Sequence, residues 1–294
     1  MAEKKIHPFT VRQEMLTRNY EIYRYRDSYL KHVELHHHDF YEVYLFLDGN
    51  VDYIIESRNY HLLPGDILLI SPMELHQPRI TPDKRPYERF VLWLDRNFIE
   101  QFHTTRTLLT RCFDTTVPGH SNLLRLSPAK RQYVTELMDR LAIEFHTGGY
   151  GADLSGFGCL LLLLVELNRQ AASSTRHYEL ADKSGPVVTS VLDYINNHYN
   201  EELSLDLLAD HFFVNKYHLS HEFNRIVGTS IYRYIIQKRL VIAKHLLSKG
   251  QSPTEVYKDC GFGDYSNFYR AFKAEYGISP KDFSAMTQEH GLIK

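Results

Sequence analysis

The chain has 294 residues, 43% hydrophobic and 24% charged, with a formal net charge of −2 at pH 7. That length is about two domains' worth, and the balance excludes disordered, collagen-like and mucin-like classes. The longest apolar run, Cys159 to Val165, falls far short of the roughly 20 residues of a membrane span. The start lacks the apolar stretch of a secretory signal. Three widely separated cysteines, Cys112, Cys159 and Cys260, suit free thiols in a reducing compartment. A cytoplasmic location without a membrane partner is the expectation.

Residues 20 to about 100 read as strands. Val43–Leu47 and Val51–Ile55 are rich in aromatic and β-branched residues and flank the turn signal Asp48-Gly49-Asn50. Further turns at Ser57-Arg58 and Pro64-Gly65-Asp66 complete the spacing of a small sandwich or barrel. Within this stretch, His36-His37-His38-Asp39-Phe40-Tyr41-Glu42 stands out. In one continuous strand His36, His38, Glu42 and Tyr44 share a face, and His37 has the opposite parity. His76 follows one hairpin later. Tyr87–Leu94 is a further strand, in which Arg89 is a candidate polar contact and Phe90 and Trp93 are candidates to stack on a ligand or to fill the core.

Residues 127–171 read as helices. Ser127-Pro128 is a start signal, and Leu154 to Leu167 is apolar nearly all round, as in a helix buried within the subunit or in a dimer face. Residues 171–186 are small and polar and form the best linker candidate.

From residue 187 the pattern is helical. Asn215, Leu219, Phe223 and Gly228 recur as Asp264, Phe268, Phe272 and Gly277, each 49 residues on. Cap, two core anchors and terminal glycine in one register suggest two helix-turn-helix units joined by one long helix, from about Ser230 to Lys249. Such a helix is roughly 28 Å long, near the roughly 34 Å between successive major-groove segments on one face of a duplex. In the first unit Lys216, Tyr217, Ser220, His221 and Asn224 point outward. In the second, Tyr265, Ser266, Tyr269, Arg270 and Lys273 do, and Arg270 suits a guanine edge. Residues 187–294 carry 12 Lys+Arg against 12 Asp+Glu, so charge alone leaves a helical interaction domain open beside DNA binding.

Arg239-Leu240, Ala243 and Leu246-Leu247, followed by Gly261-Phe-Gly-Asp264-Tyr-Ser-Asn-Phe268-Tyr-Arg-Ala-Phe272-Lys273 and Gly277-Ile-Ser-Pro280, resemble the AraC/XylS family of bacterial transcription regulators. The resemblance covers roughly the last 100 residues. It implies that Tyr217, Ser220 and His221, with Tyr265, Ser266, Tyr269 and Arg270, lie at base- or phosphate-contacting positions. Two places depart from the pattern. Val256-Tyr257 stands where Ile-Ala is usual, and His221 where Arg is common. The N-terminal spacing is similar to the cupin barrel: His36, His38, Glu42 and Gly49 fit its first motif, Gly65 and His76 its second, with Ser71 and Met73 replacing an internal Pro and Gly.

The fold expected is α+β in two domains: a cupin-like β-barrel with flanking helices, then an all-α domain with two helix-turn-helix units on a connecting helix. The expected boundaries are 1–105 for the barrel, 106–172 for a helical dimerisation segment, 173–186 for the linker and 187–288 for the DNA-binding domain. The expected function is a homodimeric regulator that reads double-stranded DNA under control of a small effector, a sugar or related polar metabolite, with RNA polymerase as a partner if it activates. His36, His38, Glu42, Tyr44, His76, Arg89, Phe90 and Trp93 are its candidate effector contacts. His36, His38, Glu42 and His76 can hold a divalent transition metal, hydrogen-bond an effector without one, or serve the barrel as a polar cluster. No cofactor is required. The effector is expected to act through the N-terminal arm (residues 1–20) or the dimer helices. A metal-dependent cupin enzyme with a helical interaction tail is the alternative from another class.

Overall fold

The structure, a computed structural model, describes residues 14–30, 32–81, 85–173 and 186–291. The first part of the proposed arm, residues 1–13, and most of the proposed linker, residues 174–185, lie outside the described residues. The chain divides into two compact units, Met1–Ala181 and Asp182–Lys294.

In the first unit the strands are β1 (Tyr20–Asp27), β2 (Tyr41–Asp48), β3 (Val51–Ile55), β4 (Arg58–His61), β5 (Ile67–Ile70), β6 (His76–Ile80), β7 (Tyr87–Leu94) and β8 (Leu123–Leu124). The helices are the short α1 (Arg96–Glu100), then α2 (Pro128–Thr147) and α3 (Ala152–Ser173). The strands form a five-stranded sheet in the order β1-β7-β2-β5-β8 and a three-stranded sheet in the order β4-β3-β6. The expected closed barrel is therefore replaced by two sheets. The sheet also draws in Leu123 and Leu124, so residues 106–127 are not helical apart from the single turn Arg111–Phe113.

Strand alternation gives the five-stranded sheet two different faces. Ile22, Val43, Leu45, Leu69, Phe90, Leu92 and Leu94 pack with Val134, Met138 and Leu141 of α2 and Leu160, Leu163, Leu164 and Leu167 of α3. Tyr23, Tyr44, Phe46, Tyr87, Val91 and Trp93 form a second core with Tyr53 and Ile55 of the small sheet. The apolar stretch of α3 is thus largely consumed within the subunit. Leu154 and Leu162 stay exposed. All three cysteines are buried free thiols.

The second unit contains α4 (Pro186–His198), α5 (Leu205–His211), α6 (Lys216–Val227), α7 (Ile231–Ser248), α8 (Pro253–Asp259), α9 (Tyr265–Tyr276) and α10 (Pro280–Gly291). Among the described residues no helix is long and apolar enough to cross a membrane. α7 is the axle of this unit. Its Tyr234 ring meets Phe223 of α6 edge-on at 5.8 Å, and its Leu240, Ala243 and Leu247 pack with Val256, Phe268 and Phe272 of α8 and α9.

Candidate functional site

The helical unit repeats its capping chemistry. Asn215 Oδ1 accepts the backbone N–H groups of Tyr217 at 2.9 Å and His218 at 3.2 Å. Asp264 Oδ1 accepts that of Asn267 at 2.7 Å. These satisfy donors that a helix start leaves open. α6 and α9 both end on left-handed glycines, Gly228 and Gly277, with φ of 76° and 73°. α5 is capped by Ser204, and α8 by a box of Ser252 and Glu255.

The two copies are not identical. The first turn spans residues 212–214 and the second 260–263, one residue longer. Counted back from the helix ends, Tyr257 therefore occupies the place of the buried Ala209. Its ring is accommodated sideways, edge-on to Tyr265 at 5.8 Å.

Locking the inner faces presents the outer ones. Leu219, Phe223, Phe268 and Phe272 are buried. Tyr217, His221 and Asn224 on α6, and Ser266, Arg270 and Lys273 on α9, are exposed, while Lys216, Ser220, Tyr265 and Tyr269 are half-buried. Lys216 Nζ pairs with Asp206 at 2.7 Å. That carboxylate holds the ammonium pKa above its usual value. Arg270 bonds Asn267 Oδ1 at 2.5 Å within its own helix. His218, which the sequence reading left out, is exposed on α6 as well.

In the first unit, a pair of backbone hydrogen bonds joins the two histidine segments. His36 N–H donates to the His76 carbonyl at 3.1 Å and His76 N–H to that of His36 at 2.9 Å. The expected continuous strand from His36 to Tyr44 does not form. The chain bends at Asp39-Phe40 before β2 begins. Met73 N–H holds the His38 carbonyl at 3.0 Å, with Met73 at φ 75°, the left-handed region, where the similar motif carries a glycine.

Three buried groups converge. Ligand atoms of His38, Glu42 and His76 lie within 4.8 Å of one another, the one group of this kind among the described residues. His36 is not in that group. Its ring instead meets His76 edge-on at 4.2 Å. His38 Nε2 stands 3.0 Å from Glu42 Oε2. The indole N–H of Trp93, opposite Glu42 in the sheet register, donates to the same oxygen at 3.1 Å. Among the described residues His76 Nε2 is buried without a hydrogen-bond partner. Burial drives the His36 pKa down to about 4 and that of His76 well below the usual imidazole range, opposed in each case by a backbone carbonyl.

Further along the same inner face, Tyr44 and Tyr87 hydroxyls bond at 2.5 Å. Arg89 pairs with Asp27 at 2.5 Å, its guanidinium lying 4.1 Å from the Tyr87 ring centre and 4.8 Å from that of Tyr25. Burial raises the phenol pKa values of Tyr44 and Tyr53 far above normal.

The structure brings His38, Glu42, Tyr44, His76, Arg89 and Trp93 to one face. It does not place Phe90 there. Arg89 and Trp93 share a parity, and Phe90 lies between them on the helix-facing side. One strand cannot send Phe90 and Trp93 to the same face. Tyr25, Tyr53 and Tyr87 were missed; Tyr87 was recoverable from that same parity, and Tyr25 stands opposite Arg89 in the register.

A sheet-rich ligand-binding unit followed in the chain by a double helix-turn-helix unit defines a DNA-binding transcription regulator. Residues 19–143 match the model of the AraC-like ligand binding domain, and residues 208–286 that of a helix-turn-helix domain. The chain is 24% identical over 252 residues to the HTH-type transcriptional activator RhaS of Salmonella arizonae, covering 84% of this chain and 86% of that protein. It is 25% identical over 252 residues to RhaS of Salmonella agona, with the same shares covered. The C-terminal domain of AraT, a response regulator from Geobacillus stearothermophilus, is 25% identical with a TM-score of 0.34, covering 35% of this chain and 88% of that one. The chain belongs to the AraC/XylS family of transcription regulators.

Proposed function

We propose that this regulator binds a small polar metabolite, with a sugar as the first class to test, at the inner face carrying His38, Glu42, Tyr44, Arg89 and Trp93. Binding there changes how the chain engages promoter DNA. The observation that carries the reading is the density of buried hydrogen-bonding groups on a face that otherwise builds an apolar core. Tyr217, Ser220, His221, Asn224 and Lys216 read one major-groove segment; Tyr265, Ser266, Tyr269, Arg270 and Lys273 read the next. The spacing along α7 supports that division, since roughly one helical turn of DNA separates such segments.

The protein works as a cytoplasmic homodimer, with Leu154 and Leu162 of α3 in the contact. Dimerisation raises specificity through local concentration. The relatives are named as activators, which favours activation and contact with RNA polymerase. Effector coupling of the usual size, about 1–3 kcal/mol or roughly 5–150-fold in DNA affinity, suffices.

The test is selection of the preferred duplex from a random pool, then affinity for it with and without a panel of sugars and polar metabolites. A salt-sensitive, sequence-specific duplex whose affinity one metabolite class changes is the expected result. Failure to select any duplex would overturn the regulatory reading. So would turnover of a metabolite by the chain without effect on DNA.

A further inference from the structure

We propose that Phe213, in the turn of the first helix-turn-helix unit, packs its ring on the 5-methyl group of a thymine and so fixes one further base position of the duplex. The starting point is how the first helix of each unit ends. α5 closes with two hydrogen bonds, from Phe213 N–H to the Asp210 carbonyl at 3.2 Å and from Val214 N–H to that of Ala209 at 3.0 Å. α8 closes with the same pair, from Gly261 N–H to the Lys258 carbonyl and from Phe262 N–H to that of Tyr257, each at 2.9 Å. This closure puts the residue after the helix cap in the left-handed region, where glycine is usual. Gly261 has φ 76° there, and Phe213 has φ 54°.

The second unit thus carries the residue that the closure favours, and the first carries one of the bulkiest. Packing does not account for the difference. In the second unit the phenylalanine comes one residue later, is buried, and sits 5.2 Å from the Phe268 ring. Phe213 is 95% exposed. A bulky residue at positive φ is a genuine outlier, and such strain gathers where a ligand is clamped.

The place identifies the ligand. Phe213 stands two residues before Asn215, whose Oδ1 accepts the N–H groups of Tyr217 and His218 at the start of α6. The first residues of the second helix of such a unit meet base edges, so Phe213 lies at the groove end of its unit. A phenyl ring has no hydrogen bond to give a base or a phosphate. The one apolar group that a base pair presents in the major groove is the thymine methyl, and phenylalanine is a suitable partner for it. Asp210, His211 and Asn215, exposed around Phe213 in the chain, are polar. That suits contact with a single methyl group more than the broad apolar patch of a protein interface. The contact rests on the reading of α6 as a DNA-reading helix.

The test uses the full chain and the duplex that it selects from a random pool. Each thymine is replaced in turn by deoxyuridine, which lacks the methyl group and keeps the same pairing. One replacement should weaken binding roughly fourfold, the worth of one buried methyl group. Phe213→Asn and Phe213→Gly should lose at least as much on the unmodified duplex and be insensitive to that same replacement. A urea midpoint of Phe213→Asn no lower than that of the natural chain shows that the loss is not a folding defect. Undiminished affinity of both variants overturns the contact and leaves the regulatory reading standing. A loss in the variants that no deoxyuridine replacement reproduces also overturns it, and assigns the ring to the sugar-phosphate backbone. If the natural chain selects no duplex, the regulatory reading fails and the contact with it.

Discussion

Gly261 lies against the backbone of Asn200. A Cβ at Gly261 would stand 2.7 Å from the Asn200 carbonyl oxygen and 2.8 Å from its Cα, and the glycine itself has φ 76°. The segment it touches is fixed on its other side by Arg239 of α7, which donates to the carbonyls of Tyr199 and Glu201, each at 2.7 Å. The turn of the second helix-turn-helix unit and the loop after α4 are thus closed on one another with no space for a side chain.

Gly261→Ala therefore combines left-handed strain with a backbone clash, and should cost at least about 2 kcal/mol of unfolding free energy. Gly263→Ala, with no atom within 4 Å of the added carbon, should stay within about 0.5 kcal/mol. Urea unfolding followed by helical circular dichroism compares the two. Equal effects would show that the close approach is not made in solution.

The first turn stores strain of another kind. Phe213 has φ 54° and is 95% exposed, so its ring gains little packing for the left-handed conformation it occupies. Asparagine tolerates that region far better. Phe213→Asn should stabilise the protein by about 0.5 kcal/mol, seen as a higher urea midpoint at unchanged slope.

Arg270 is exposed on α9, and among the described residues it bonds within its own helix. Arg270→Ala should cost about 1–3 kcal/mol on the preferred duplex and relax preference at one base position. A uniform loss on all duplexes, with a shallower salt slope, would assign the side chain to phosphate instead.

Burial holds the pKa of His36 near 4 and lowers that of His76 also. In the metal-free protein both bind fewer protons folded than unfolded once pH drops below about 6.5. Stability is then complete above that pH and declines as pH falls towards 4, by about 3 kcal/mol for His36 alone. Trp93 is the chain's one tryptophan, so its fluorescence reads this unit during urea unfolding across the range. A flat profile would show that the imidazoles reach water in the folded state.

Much of the helical unit was legible in the sequence because its determinants are local. Caps, terminal glycines and anchors one turn apart are read from neighbours within a dozen residues. The repeat of Asn215, Leu219, Phe223 and Gly228 at Asp264, Phe268, Phe272 and Gly277 made the double unit visible. The extra residue in the second turn was not, because the 49-residue period holds only for the second helices.

The inner face was legible only in part. Sequence determined that histidines and a carboxylate were concentrated near β2 and that His76 stood one hairpin away. It could not decide between a closed barrel and two sheets, which depends on pairings between strands distant in the chain. Nor could it show that the chain bends at Asp39-Phe40, which leaves His36 outside the group that Glu42 joins. The parity of β7 alone excluded having both Phe90 and Trp93 on one face. Which of the two faces inward was decided by the helices α2 and α3, whose apolar side covers the Phe90 face and leaves Trp93 to meet Glu42.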